Sequence, residues 1–133
     1  MGQRLNIEIN KNGELLANAY YHWSGYTRTA LALTSMILVK SEEIKNTNDV
    51  LYAIELLETT GARLTNDEIK YAKSIGIDKK FEPAVSRNEG LIAISEKGMN
   101  ETRFWEEARV EIDIEKTRPL FLMSLQATQK KTI

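Results

Sequence analysis

Four aromatic residues, Tyr20, Tyr21, Trp23 and Tyr26, fall within seven positions, with His22 among them and Arg28 two residues beyond. Rings, an imidazole and the nearby Asn18 amide are groups that suit a purine, offering a stacking surface and flanking hydrogen bonds. Ser24-Gly25 then leads into a helix start, where backbone N–H groups and the positive dipole end favour an anion. The plainer reading is an amphipathic strand whose inward residues, Tyr21 and Trp23, are core. It leaves Tyr20 and His22 on the opposite, polar face, with Trp23 serving as both core and pocket floor.

A second cluster is Arg103-Phe104-Trp105 with Arg109. On a strand, Arg103, Trp105 and Arg109 project from one side, so two guanidiniums flank an indole. Guanidinium forks match phosphate oxygens, and an indole stacks on a base. The competing reading pairs Arg103 and Arg109 with Glu107 and Glu111 on an exposed sheet face, worth at most about 1 kcal/mol. A phosphate clamp instead predicts that Arg109→Ala and Arg109→Lys leave the fold unchanged while weakening ligand retention. Phe81 and Asn88, in the loop before the third strand, are candidates to wall either site.

Composition narrows the function. The 133 residues make one domain, 1–133, with 126–133 expected as a frayed tail. Eighteen Lys and Arg against nineteen Asp and Glu leave a formal charge of −1, which argues against a DNA or RNA binder. The lack of cysteine excludes disulfides and thiol chemistry, and the single histidine excludes multi-His zinc patterns. His22 is a conceivable general base, but no triad can be singled out and no Gly-rich phosphate loop is present. No cofactor and no metal are therefore expected. Ala30 to Val39, the longest apolar stretch, is too short to span a bilayer, and the N-terminus lacks a signal peptide's apolar core. The expected location is the cytoplasm, without a membrane partner.

The elements that must position these residues follow from periodicity. Leu5 to Ile9 alternates as a strand, and Glu14 to Trp23 reads as its hairpin partner. A three-residue loop with Gly13 in a bulge sets Ile7 opposite Ala17; Leu5, Ile7 and Ile9 then share a face with Leu15, Ala17, Ala19, Tyr21 and Trp23. Thr27 caps a helix to about Lys40, apolar on more than one side, as expected for a core helix or a subunit interface. A second helix spans about Asp49 to Thr60. The third carries a capping box, Thr65 with Glu68, and a hydrophobic staple, Leu64 with Ile69, and ends at Gly76. Ile77 to Gly90 is a loop with charges on both sides of Phe81. Leu91 to Ser95 reads as a strand and Glu96-Lys97-Gly98 as a turn. Glu101 to Arg109 has helix propensity, but alternation favours a strand from about Arg103 to Ile114. Leu120 to Leu125 closes the chain as a central strand. The expected fold is α+β: a mainly antiparallel sheet of about five strands, with three helices inserted after the N-terminal hairpin.

The run Leu-Ala-Asn-Ala-Tyr-Tyr-His-Trp-Ser-Gly-Tyr-Thr, Leu16 to Thr27, follows a strand and a Lys-Asn-Gly turn and leads into an Ala/Leu helix. It resembles the phage Thoeris anti-defence sponge family, small proteins that sequester the cyclic ADP-ribose signals made by bacterial TIR-domain enzymes. The likeness covers roughly residues 5 to 40, with a weaker echo at Asn88-Glu89-Gly90 and around Arg109. The resemblance implies a nucleotide held and released intact, a homo-oligomer with pockets built from more than one subunit, and cyclic oligonucleotides at additional sites. Its implied ligand contacts here are Tyr20, His22, Trp23, Arg28, Phe81, Asn88 and Arg109, to which the second cluster adds Arg103. Two other classes compete. One is an inhibitor of a host factor by direct contact through an exposed Tyr/Trp face. The other is a small nucleotide-processing enzyme using His22.

Overall fold

In the computed structural model the described residues are 4–22, 27–44, 46–86, 89–116 and 127–129. The hairpin comes first: β1 (Leu5–Lys11) and β2 (Glu14–Tyr21) turn at Asn12-Gly13, both at positive φ, 51° and 85°. Asn tolerates the left-handed region and Gly enters it freely, the backbone that a two-residue hairpin turn requires. Lys11 pairs with Glu14, but a bulge beside Ile9 inserts Leu16, after which Ile9 pairs with Ala17, Ile7 with Ala19 and Leu5 with Tyr21. This corrects the expected three-residue loop, which would set Ile7 opposite Ala17. The displacement is two residues, an even number, so Leu5, Ile7 and Ile9 still share a face with Ala17, Ala19 and Tyr21, but Leu15, expected on that face, precedes the bulge and pairs with Asn10 instead.

The hairpin forms the centre of one sheet with the order β3-β4-β2-β1-β5-β6. Its other strands are β3 (Arg63–Leu64), β4 (Leu91–Ala93), β5 (Ala108–Asp113) and β6 (Ala127–Gln129). The class is α+β, as expected, but the sheet is mixed: β1 lies parallel to β5 and β3 parallel to β4, while the other three pairings are antiparallel. The β1–β5 pairing sets Leu5 beside Ala108 and the β3–β4 pairing sets Arg63 beside Leu91, both far apart in the chain, and no local sequence signal encodes either. The expected strand Leu120 to Leu125 lies outside the described residues. Within the expected frayed tail, residues 127–129 form β6 against β5.

Four α-helices stand among the described residues where three were expected: α1 (Thr27–Glu43), α2 (Asp49–Glu58), α3 (Asn66–Ser74) and α4 (Glu96–Trp105). The fourth replaces the expected turn at 96–98 and the first part of the expected strand from Arg103. Ser95 supplies the start signal, its hydroxyl accepting from the Gly98 N–H, and the strand proper begins only at Ala108. Helices α1 and α2 cover the apolar sheet face. Ile37, Ile54, Leu56 and Leu57 are fully buried in the same cluster as Leu5, Ile7 and Ile9. Each such side chain contributes about 1.5–3 kcal/mol. Tyr21 closes this side by hydrogen bonding Thr60 Oγ1 at 2.7 Å, and burial pushes its phenol well above the usual range.

Candidate functional site

Residues paired across neighbouring strands share a face, so register alone aligns Tyr20, Asn6 and Arg109 in one row and Asn18, Glu8 and Glu111 in the next. This is the polar face on which the sequence places Tyr20 and His22. It is not open to water. Asn6, Glu8, Asn18 and Tyr20 are all buried, because α4 lies over them. Asn18 Nδ2 donates to the Met99 carbonyl at 3.2 Å, and Thr102 Oγ1 donates to Asn18 Oδ1 at 3.0 Å. Further along, Asn6 Nδ2 donates to Glu106 Oε1 at 2.8 Å, leaving Asn6 Oδ1 a buried acceptor without a hydrogen bond.

The two arginines complete this layer. Arg103 grips Glu8 with both prongs, Nη2 to Oε1 at 2.8 Å and Nε to Oε2. Arg109 donates to Glu106 from Nε at 2.9 Å, approaches the same carboxylate through Nη2 at 2.8 Å, and reaches Glu111 through Nη1 at 3.1 Å. Of the expected pairings with Glu107 and Glu111, only Arg109–Glu111 forms, and Glu107 turns to Arg4 instead. Burial works against the Arg109 charge, but its bonds to Glu106 and Glu111 and the field of Glu8 outweigh that and raise its pKa. The hydrogen bond to Glu8 does the same for Arg103. With Glu8, Glu106 and Glu111 against two guanidiniums, the layer is anionic by one.

The aromatic groups converge here too. Tyr20 meets the Trp105 ring edge-on, centroids 5.8 Å apart, and its hydroxyl lies 2.9 Å from His22 Nδ1. The two sequence clusters, 18–22 and 103–109, are thus one assembly, joined because α4 ends above β2. The remaining candidates lie elsewhere. Trp23 and Asn88 are outside the described residues. Arg28 is exposed on the first turn of α1. Phe81 is buried on the opposite, apolar side of the sheet with Lys79 Nζ 5.5 Å from its ring centroid.

Phe81 lines a groove of about 460 Å³ formed with α1 and α2, together with Lys40, Glu55, Glu58, Arg63, Lys79, Lys80 and Glu82. Past Arg63 and Glu82 it runs into a hollow of about 540 Å³ lined by Tyr21, Thr60, Val85 and Glu89. The Arg63 guanidinium is aimed by the carbonyls of Glu58 and Ala62, at 3.2 and 2.9 Å. Burial raises the Glu58 pKa, against the pull of Lys79 and Arg63. Arg63 and Lys40 escape a sequence reading, since neither stands in a motif; the charges flanking Phe81 were the available signal.

The expected capping box is half formed. Thr65 Oγ1 accepts from the Glu68 N–H at 3.3 Å, but the Glu68 carboxylate leaves its own helix. It accepts from the Ile94 and Ser95 N–H groups, at 2.7 and 2.9 Å, and from Ser95 Oγ at 2.7 Å, fixing the start of α4. Among the described residues no group of three or more His, Asp or Glu is placed to hold a metal ion, and no helix is long and apolar enough to cross a membrane. No protein-family model, curated protein or solved structure matches the chain.

Proposed function

We propose that this protein binds a cyclic ADP-ribose-type nucleotide and holds it chemically unchanged, withdrawing a TIR-made signal from bacterial anti-phage defence. The observation that supports this reading is the groove along Phe81. It has an aromatic wall and four cations, Lys40, Arg63, Lys79 and Lys80, against three carboxylates, Glu55, Glu58 and Glu82. The base is placed at the Phe81 end of the groove, the pyrophosphate faces Arg63 and Lys80, and the adjoining hollow beside Tyr21 accommodates the second ribose. Phe81 and Arg109 lie on opposite sides of the sheet, so a ligand that touches both takes them from two copies of the chain.

Calorimetric titration with cyclic ADP-ribose isomers tests the reading. Saturable binding is expected, weakened roughly 10- to 150-fold in Arg63→Gln by the loss of a charged hydrogen bond. Unaltered affinity in Arg63→Gln and Lys80→Glu would remove the groove from the site. A second reading, inhibition of a host factor by direct contact, has one observation in its favour: Phe104 on α4 is 83% exposed beside partly exposed Trp105.

A further inference from the structure

We propose that Glu58 sets the specificity of the Phe81 groove: its carboxylate accepts from a free ribose hydroxyl of the nucleotide and turns away the same ribose carrying a 2′-phosphate. This rests on the nucleotide reading of the groove and adds to it a discrimination that the groove's cations alone would reverse.

Glu58 is the last residue of α2, and its backbone is fixed there. Its carbonyl accepts from the Gly61 N–H at 3.0 Å and from Arg63 Nη1 at 3.2 Å. The arginine thus grips the peptide and leaves the carboxylate alone. Among the described residues that carboxylate accepts no hydrogen bond, and its ion pair is a distant one, Lys79 Nζ at 4.0 Å from Oε1. Glu55 holds the same ammonium more closely, at 3.3 Å. The Glu58 side chain is only 22% exposed, so water reaches it from one side alone. A half-buried carboxylate short of donors is held at the expense of stability, and burial accordingly raises its pKa. The missing donors are what a ligand can supply.

Which donors they are follows from the neighbours. With the base at Phe81 and the pyrophosphate at Arg63, the ribose between them lies along Glu58. A ribose offers hydroxyl donors and no charge, and an acidic side chain takes this partner in nucleotide sites that tell a free 2′-hydroxyl from a 2′-phosphate. A phosphate there replaces the donor with negative charge. It would meet Glu58 together with Glu55 and Glu82, whose charges already act on Glu58, and like charges set together in a site are strongly disfavoured. The nearest cations do not relieve this. Lys79 is held by Glu55, and Arg63 has Nη1 turned to two carbonyls.

Calorimetric titration of the full chain with cyclic ADP-ribose and with cyclic ADP-ribose 2′-phosphate tests the assignment. The wild type is expected to prefer the unphosphorylated ligand at least about tenfold, and Glu58→Gln, which keeps the size and removes the charge, to lose most of that preference. Glu58→Gln is expected to melt no lower than the wild type, which separates the loss of preference from a damaged fold. Arg63→Gln is expected to weaken both probes and keep the preference. Equal affinity of the wild type for the two probes, or a preference unchanged in Glu58→Gln, overturns the inference and leaves nucleotide binding standing. A wild type that binds neither probe also overturns it; glycosidic isomers titrated alongside then decide whether the nucleotide reading falls with it.

Discussion

Arg103, near the end of α4, holds the buried carboxylate of Glu8 on β1 in a two-pronged grip, Nη2 to Oε1 at 2.8 Å beside Nε to Oε2. The glutamate has no exposed surface, and its next cation, Arg109, stands 3.8 Å away. This pair ties α4 to the sheet and closes the layer that holds Tyr20 and Asn6 away from water.

Removing the grip strands a buried charge. Because the Arg103 side chain is itself partly exposed, solvent reclaims some of the loss, and Arg103→Ala is expected to cost about 2 kcal/mol. Glu8→Ala is expected to cost more, since it empties a fully buried position under α4 and strips Arg103 of both acceptors, while Arg109 keeps Glu106 and Glu111. Urea denaturation measures both; an unchanged midpoint in Arg103→Ala would reduce the pair to an ordinary surface contact.

Arg109 departs from the expectation that its removal leaves the fold unchanged. It neutralises the Glu106 carboxylate, which is fully buried and also holds Asn6. Arg109→Ala is accordingly expected to lose about 2 kcal/mol of stability, with Arg109→Lys intermediate because an ammonium cannot span Glu106 and Glu111 together. Ligand affinities of Arg109 variants are interpretable only beside their melting curves. A wild-type melting temperature in Arg109→Ala would contradict this assignment.

Gly98 lies in the first turn of α4, where Gly→Ala ordinarily stabilises a helix by about 1 kcal/mol. Here an added Cβ would collide with Glu68 Oε2 and fall 3.1 Å from the Ala93 Cβ. The Glu68 side chain would have to release the Ile94 and Ser95 donors. Gly98→Ala is therefore expected to lower the melting temperature, and to do less harm in a Glu68→Ala background. A stabilised Gly98→Ala would show that the carboxylate moves without loss.

How much was legible in the sequence follows from which signals are local. Alternation assigned the two sheet faces correctly except at Leu15, apolar periodicity placed α2, and the Thr65 cap placed α3. The hairpin register was missed because a bulge at Leu16 leaves parity, and so the hydrophobic pattern, intact. The polar face of β1 and β2 reads as solvent-facing because alternation cannot distinguish water from a polar helix. Helix α4 itself was obscured because Phe104, Ala108, Val110 and Ile112 also fit a strand period. Of the candidate site, Tyr20, His22, Arg103 and Arg109 come together, while Phe81 belongs to the other side of the sheet, a separation only the tertiary fold decides.

Glu58 gives a pH test of the Phe81 groove. Burial raises its folded pKa above the unfolded value, so the folded state binds the proton more tightly, and stability falls as pH rises through that window. Glu58→Gln, always neutral, is expected to melt higher than the wild type at neutral pH, with the gap closing below the unfolded carboxylate pKa of about 4.3. A Glu58→Gln chain less stable at neutral pH would mean that Lys79 and Arg63 outweigh burial at this position.

The most direct measurement of the central claim is retention followed by release. The protein is incubated with a mixture of cyclic ADP-ribose isomers, freed of unbound nucleotide, heat-denatured, and the supernatant identified by mass spectrometry. Recovery of an unchanged cyclic nucleotide in stoichiometric amount is the expected result. A hydrolysed or rearranged product would make the protein an enzyme, and an empty supernatant would contradict nucleotide sequestration outright.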